Sequence, residues 1–150
     1  MVRFGLVLLA MAMTFFGPQA EAQQESAQEI ARMLVTDLSP TGAMESGQWF
    51  TNPAFPVTGA VGLGIIYAYI PGSAGSVSIH AGIYLRYPTG WSMTREVTGI
   101  FGMSPSNAVF HDDRVEVTTT TLGPNDPRCC PSVAARWSID VTNGVATRLN

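Results

Sequence analysis

The sequence predicts an α+β fold, an N-terminal helix packed on a five- to six-stranded antiparallel meander sheet. Two observations carry that expectation. Apolar residues recur at helical spacing in one stretch, at Ala27, Ile30, Ala31, Leu34 and Leu38. From Gly59 onward the period falls to two, and short clusters of turn residues separate the runs. Consecutive strands joined by short turns favour a meander over crossover connections.

The helix opens on Ser26-Ala27-Gln28-Glu29, the pattern of a capping box, in which a serine hydroxyl and a glutamate carboxylate satisfy two backbone amides. Ser39-Pro40 closes it, because the residue before proline avoids helical angles. The spacing predicts a helix from Ala27 to about Thr36. Residues 39–58 read as an irregular segment, rich in glycine and proline, whose Trp49, Phe50 and Phe55 cover one end of the core. Leu63–Ile70 is β-branched and aromatic. In Val77–Tyr87, Val77, Ile79, Ala81, Ile83 and Leu85 alternate with Ser78, His80, Gly82, Tyr84 and Arg86, the pattern of a half-buried strand. The turn-rich segment from Pro71 to Ser76 joins these two runs into a hairpin. Further strands are expected at Ser92–Val97, Val115–Thr121, Ala134–Val141 and Val145–Leu149, the last pair joined by the Asn143-Gly144 hairpin signal. Gly59, Gly62 and Gly64 lack the lysine and the following helix of a phosphate loop, and read as a bulge or close strand packing.

Before the helix, Met1-Val2-Arg3, an apolar run from Phe4 to Phe16 and Ala20-Glu21-Ala22 form the pattern of an export signal cleaved after Ala22. The run is shorter than the ~20 residues of a bilayer span. The expectation is a signal peptide over residues 1–22 and one soluble domain over 23–150, periplasmic or secreted, with no membrane span after cleavage. The net charge is −3, and all 8 basic residues are arginines without a cluster. Nucleic acid is therefore a poor partner. The expected partner is an unidentified envelope protein or small ligand, and no cofactor is called for.

The 2 cysteines are neighbours, Cys129 and Cys130, between Pro127 and Pro131. Outside the cytosol thiols tend to pair, and a bond between these neighbours is the leading expectation. It would close a strained ring, because Cα atoms across a trans peptide are ~3.8 Å apart, below the usual disulfide range. Its entropic contribution is only on the order of 1 kcal/mol, so its value lies in shaping a turn or in being readily reduced. A free pair, a metal site and a bond to another chain remain open. Copper(I) could take both sulfurs with Met93 or Met103.

Asp126, Pro127, Cys129, Cys130 and Pro131 resemble the Asp-Pro-x-Cys-Cys-Pro element of small exported bacterial proteins, including LppP/LprE-type lipoproteins. The likeness spans roughly residues 60–145. It departs from that group in lacking the lipid-attachment cysteine and a Gly-Asp-rich stretch ahead of the sheet. The resemblance implies export and a cell-envelope setting and brings no catalytic residues.

Three functions follow. The first is a small binding or scaffolding protein of the envelope, with Cys129, Cys130, Trp91, Trp137 and Tyr84 (or Trp49) as its contact site. The second is thiol-redox or copper handling by the cysteine pair. The third is an enzyme using His111, Asp112 and Asp113, in a polar loop that starts near Ser104-Pro105-Ser106-Asn107, although aspartates there also suit a turn. No nucleophile elbow or zinc-protease motif occurs, so catalytic residues are not assigned.

Overall fold

The computed structural model describes residues 26–52 and 59–150. The expected signal peptide and Phe55 lie outside the described residues. Helix α1 runs Ala27–Leu38, a half-turn longer than its spacing predicted. The capping box forms as expected: Glu29 N–H donates to Ser26 Oγ at 3.2 Å, and Ser26 N–H donates back to Glu29 Oε2 at 2.8 Å. Ser39 ends the helix in an extended conformation ahead of Pro40.

The strands number eight and form two sheets, not one of five or six. Sheet 1 contains β1 (Met44–Thr51), β2 (Val61–Tyr69), β3 (Val77–Tyr87) and β4 (Gly90–Val97), in that spatial order. Sheet 2 contains β5 (Met103–Phe110), β6 (Arg114–Thr121), β7 (Val133–Asp140) and β8 (Ala146–Arg148), again in sequence order. All ladder pairs are antiparallel, so each sheet is a meander. The two strands missing from the sequence reading are edge strands. β1 occupies part of the segment read as irregular. β5 holds Ser104, Pro105 and Asn107, which read as a loop. Its register shifts twice, and Ser104 (φ 50°) and Asn107 (φ 53°) take left-handed backbone angles. Proline and bulges are compatible with pairing on one side only, and they blunt an edge against further association.

The sheets pack face to face over Leu63, Ile65, Ala81, Ile83 and Val97 of sheet 1 and Val115, Val117, Ala135, Trp137 and Ile139 of sheet 2. On the outer face of sheet 1, α1 buries Leu34 and Leu38 against Ile66, Ala68 and Tyr84. The layers are thus helix, sheet, sheet, and the face of β3 that looked half-exposed is the one the helix covers. Glycine makes that approach possible. A Cβ at Gly64 would overlap Leu34, and one at Gly82 would stand 2.9 Å from Met93 Sδ and 3.1 Å from Leu38 Cδ2. The reading of close packing holds here.

The segment from Thr98 to Gly102 crosses from sheet 1 to sheet 2. A parallel bridge between Thr98 and Val145 joins β4 to the start of β8. Its hydrogen bonds run from Thr98 N–H to Gly144 O at 2.9 Å and from Ala146 N–H to Thr98 O at 2.8 Å. Three side chains hold the crossover. Trp137 Nε1–H donates to Thr119 Oγ1 at 2.8 Å, and the Thr119 hydroxyl donates to Phe101 O at 2.8 Å. The Tyr67 hydroxyl donates to Gly102 O at 2.9 Å. Among the described residues no helix is long and apolar enough to cross a membrane.

Candidate functional site

The cysteine pair lies in the connection between β6 and β7, two successive turns tied by one carboxylate. Asp126 N–H donates to Gly123 O at 3.2 Å in the first turn, and Cys130 N–H donates to Pro127 O at 2.9 Å in the second. Asp126 Oδ2 accepts from Gly123 N–H at 2.8 Å and from Ser132 N–H at 2.7 Å, and the Ser132 hydroxyl donates to Oδ1 at 2.8 Å. One side chain therefore closes the loop between residues 123 and 132. The amide of Gly123, then the hydroxyl and amide of Ser132, hold the Asp126 carboxyl below the usual aspartate range. The aspartate of the Asp-Pro-x-Cys-Cys-Pro element is thus the clamp of its own turn.

Cys129 and Cys130 are exposed free thiols in this structure, not the disulfide the sequence led us to expect. Their peptide bond is trans, which holds adjacent Cα atoms closer than disulfides usually span. A hydrogen bond with Cys129, then burial and the charge of Asp126, push the Cys130 thiol pKa up.

Beside this loop an open cleft of about 460 Å3 enters one end of the sandwich. Tyr67, Val77 and Ile79 come from sheet 1, Phe101 and Gly102 from the crossover, and Met103, Thr120 and Thr121 from sheet 2. Leu122, Arg128 and Pro131 come from the β6–β7 connection and Arg148 from β8. Phe101, Met103 and Leu122 are each about half exposed, at 50%, 46% and 53%. Arg128 and Pro131 bracket the cysteine pair in the chain, so the turn forms part of the rim. No local motif announces this cleft: its walls come from six separated parts of the sequence.

The five residues proposed from sequence do not form one contact surface. Trp137 is 2% exposed and stacks edge-on against Phe101 between the sheets, with ring centroids 4.7 Å apart. Tyr84 is buried beneath α1, on the opposite face of sheet 1. Trp91, partly buried, packs beside it, and Trp49 lies edge-on to both rings at 5.2 Å from Tyr84 and 5.0 Å from Trp91. Tyr84, Trp91 and Trp49 therefore meet, but as packing under the helix. Burial and, after it, the Asp37 charge raise the Tyr84 pKa. Its hydroxyl makes no hydrogen bond of ordinary length and angle, and Asp37 acts on it first as a nearby charge and then as a more distant acceptor.

His111, Asp112 and Asp113 sit in the connection between β5 and β6. His111 Nε2 lies 3.5 Å from Glu116 Oε1, and Asp113 Oδ1 lies 3.0 Å from the Arg114 guanidinium. Glu116 also accepts from Arg114 Nε at 3.2 Å and from Arg136 at 2.8 Å. Its pKa is lowered chiefly by the Arg114 hydrogen bond. This is an ion-pair network on the outer face of sheet 2. Among the described residues no group of three or more histidine, cysteine or acidic side chains could hold a metal ion. Met93 packs on the helix side of sheet 1, whereas Met103 lines the cleft.

Fold and site together define a helix-backed two-sheet domain with an open apolar cleft at one end. No protein-family model matches the chain, and no curated protein or solved structure matches it.

Proposed function

We propose that this chain is a small exported cell-envelope protein that works by binding, with its contact site at the cleft beside the Cys129-Cys130 turn. The observation that carries the reading is the cleft itself. Its volume of about 460 Å3 falls within the ~300–1,000 Å3 of small-molecule sites. Its rim includes the two residues that bracket the cysteines. Export is supported by the sequence features of residues 1–22 and by the resemblance to envelope lipoproteins. The vicinal disulfide belongs to this proposal as the oxidised form of the turn, a fixed knob at the rim.

Two measurements test it. Fractionation of expressing cells with N-terminal sequencing should find the protein outside the cytosol and beginning at Gln23. Retention in the cytosol would overturn the export half. A neutral apolar dye, Nile red, should bind the purified protein and lose affinity at least fivefold in Met103→Arg, which blocks the mouth at an exposed position. Equal dye binding by the two proteins would overturn the assignment of the cleft.

The second reading is thiol exchange or copper(I) handling. Two exposed thiols and Met103 in the neighbouring cleft favour it. The raised Cys130 pKa weighs against it as a nucleophile, because the thiolate is the reactive form. A gain of 2 Da on reduction of oxidised, purified monomer supports the shape-fixing turn, whereas copper(I) capture from bicinchoninate by the reduced pair supports the second reading.

A further inference from the structure

The chemistry of the cleft wall narrows what it can hold. Most of the lining is carbon: Val77, Ile79, Phe101, Met103 and Leu122. Polar groups deeper in the wall are already engaged. The Tyr67 hydroxyl donates to Gly102 O, and the Thr121 hydroxyl donates to Val133 O at 3.3 Å. A polar ligand body would forfeit its water without replacement, so the interior suits an apolar one. The rim is different. Arg128 and Arg148, two of the 8 basic residues in a chain of net charge −3, both line the cleft. Arg128 has no ion pair or hydrogen bond among the described residues. The nearby carboxylate in its loop, Asp126, accepts from Gly123 and Ser132 instead. Arg148 is engaged through Nε with the backbone oxygen of Asn150. A guanidinium presents a planar fork of donors that matches a carboxylate.

We infer that the cleft binds a free medium-chain alkyl carboxylate, the chain lying between the sheets and the head group meeting Arg128 and Arg148 at the rim. This deepens the binding reading and rests on it. An uncharged chain of equal length would gain the apolar contacts and lose the charge-assisted hydrogen bonds. A cationic one would face two like charges.

The test is calorimetric titration of the purified protein, below micelle-forming concentrations, with decanoate, decanol and decyltrimethylammonium, beside the Nile red measurement. Decanoate should bind at least tenfold more tightly than decanol, and the ammonium more weakly than either. In Arg128→Gln/Arg148→Gln the preference for decanoate over decanol should shrink to within twofold while decanol affinity is kept. Both positions are exposed, and retention of decanol binding shows that the variant is folded. Decanoate should shift the Gly102 and Thr121 amide resonances. Equal affinity for decanoate and decanol, or a preference that survives loss of both arginines, overturns the inference, and dye binding then leaves the broader reading standing. Failure of every probe, Nile red included, overturns both.

Discussion

Gly64 offers a test of how the helix is seated. Alanine there would place a methyl group on Leu34 Cδ2 and 3.0 Å from Tyr84 Cε2. Leu34 is 2% exposed and Tyr84 fully buried, so neither can move into solvent without giving up packing. Overpacking of this kind costs about 1–3 kcal/mol. Restricting the unfolded chain returns about 0.4–1 kcal/mol, since the backbone of Gly64 is not left-handed. The expected net loss is ~1–2 kcal/mol. Leu34→Ala alone should cost about 2–5 kcal/mol through the cavity it opens. Combined with Gly64→Ala, the new methyl fills part of that cavity, so the double variant should be more stable than the sum of the singles by roughly 1 kcal/mol or more. Urea unfolding followed by circular dichroism, with the m-values compared, measures all four states. A Gly64→Ala protein at or above the parent's stability, or additivity within about 0.5 kcal/mol, would refute the argument that glycine admits the helix.

Three other predictions concern the interior and the loop. Thr119→Val should destabilise by about 2–4 kcal/mol, because it orphans both the Trp137 indole N–H and Phe101 O; Thr119→Ser should recover most of it, measured by the same unfolding assay. Tyr84→Phe should leave stability unchanged or raise it by up to ~1 kcal/mol, since the hydroxyl it removes is buried without a partner; a loss above 1 kcal/mol would mean that the hydroxyl is satisfied. The Asp126 carboxyl has a lowered pKa, so its clamp is fully present above the ordinary aspartate range and is lost as pH falls through the lowered value. Hydrogen exchange at the Gly123 and Ser132 amides should therefore quicken on acidification relative to the core strands, and Asp126→Asn should abolish that pH dependence.

Much of the fold was legible because its signals are local. The capping box at Ser26 and Glu29, the alternation of β3 and the Asn143-Gly144 turn all depend on neighbours in the chain, and all formed. What escaped was the pairing of distant parts. β5 reads as a loop because Pro105 and the left-handed Ser104 and Asn107 are turn residues, yet an edge strand tolerates them where a central one would not. The division into two sheets turns on the crossover, where Gly99 (φ 83°) and Gly102 (φ 109°) redirect the chain around Ile100 and Phe101. Tyr84 and Trp137 looked like platform aromatics because each alternates with polar neighbours. A helix covers the first and the opposing sheet covers the second. The cysteine turn was found as a bend, but its clamp, Asp126, was noticed only as part of a motif. The cleft had no sequence signal at all, since Arg128 and Arg148 reach the same cleft only after β7 and β8 have folded back.

The bridge from Thr98 to Val145 fastens the two sheets to one another. Along that side they are stitched through main-chain bonds, like pages at the spine of a book, and at the cleft end the Tyr67 hydroxyl ties sheet 1 to Gly102, just ahead of β5. A guest entering the cleft would therefore meet walls already fixed to one another at two points, and little of its binding energy would go into drawing them together.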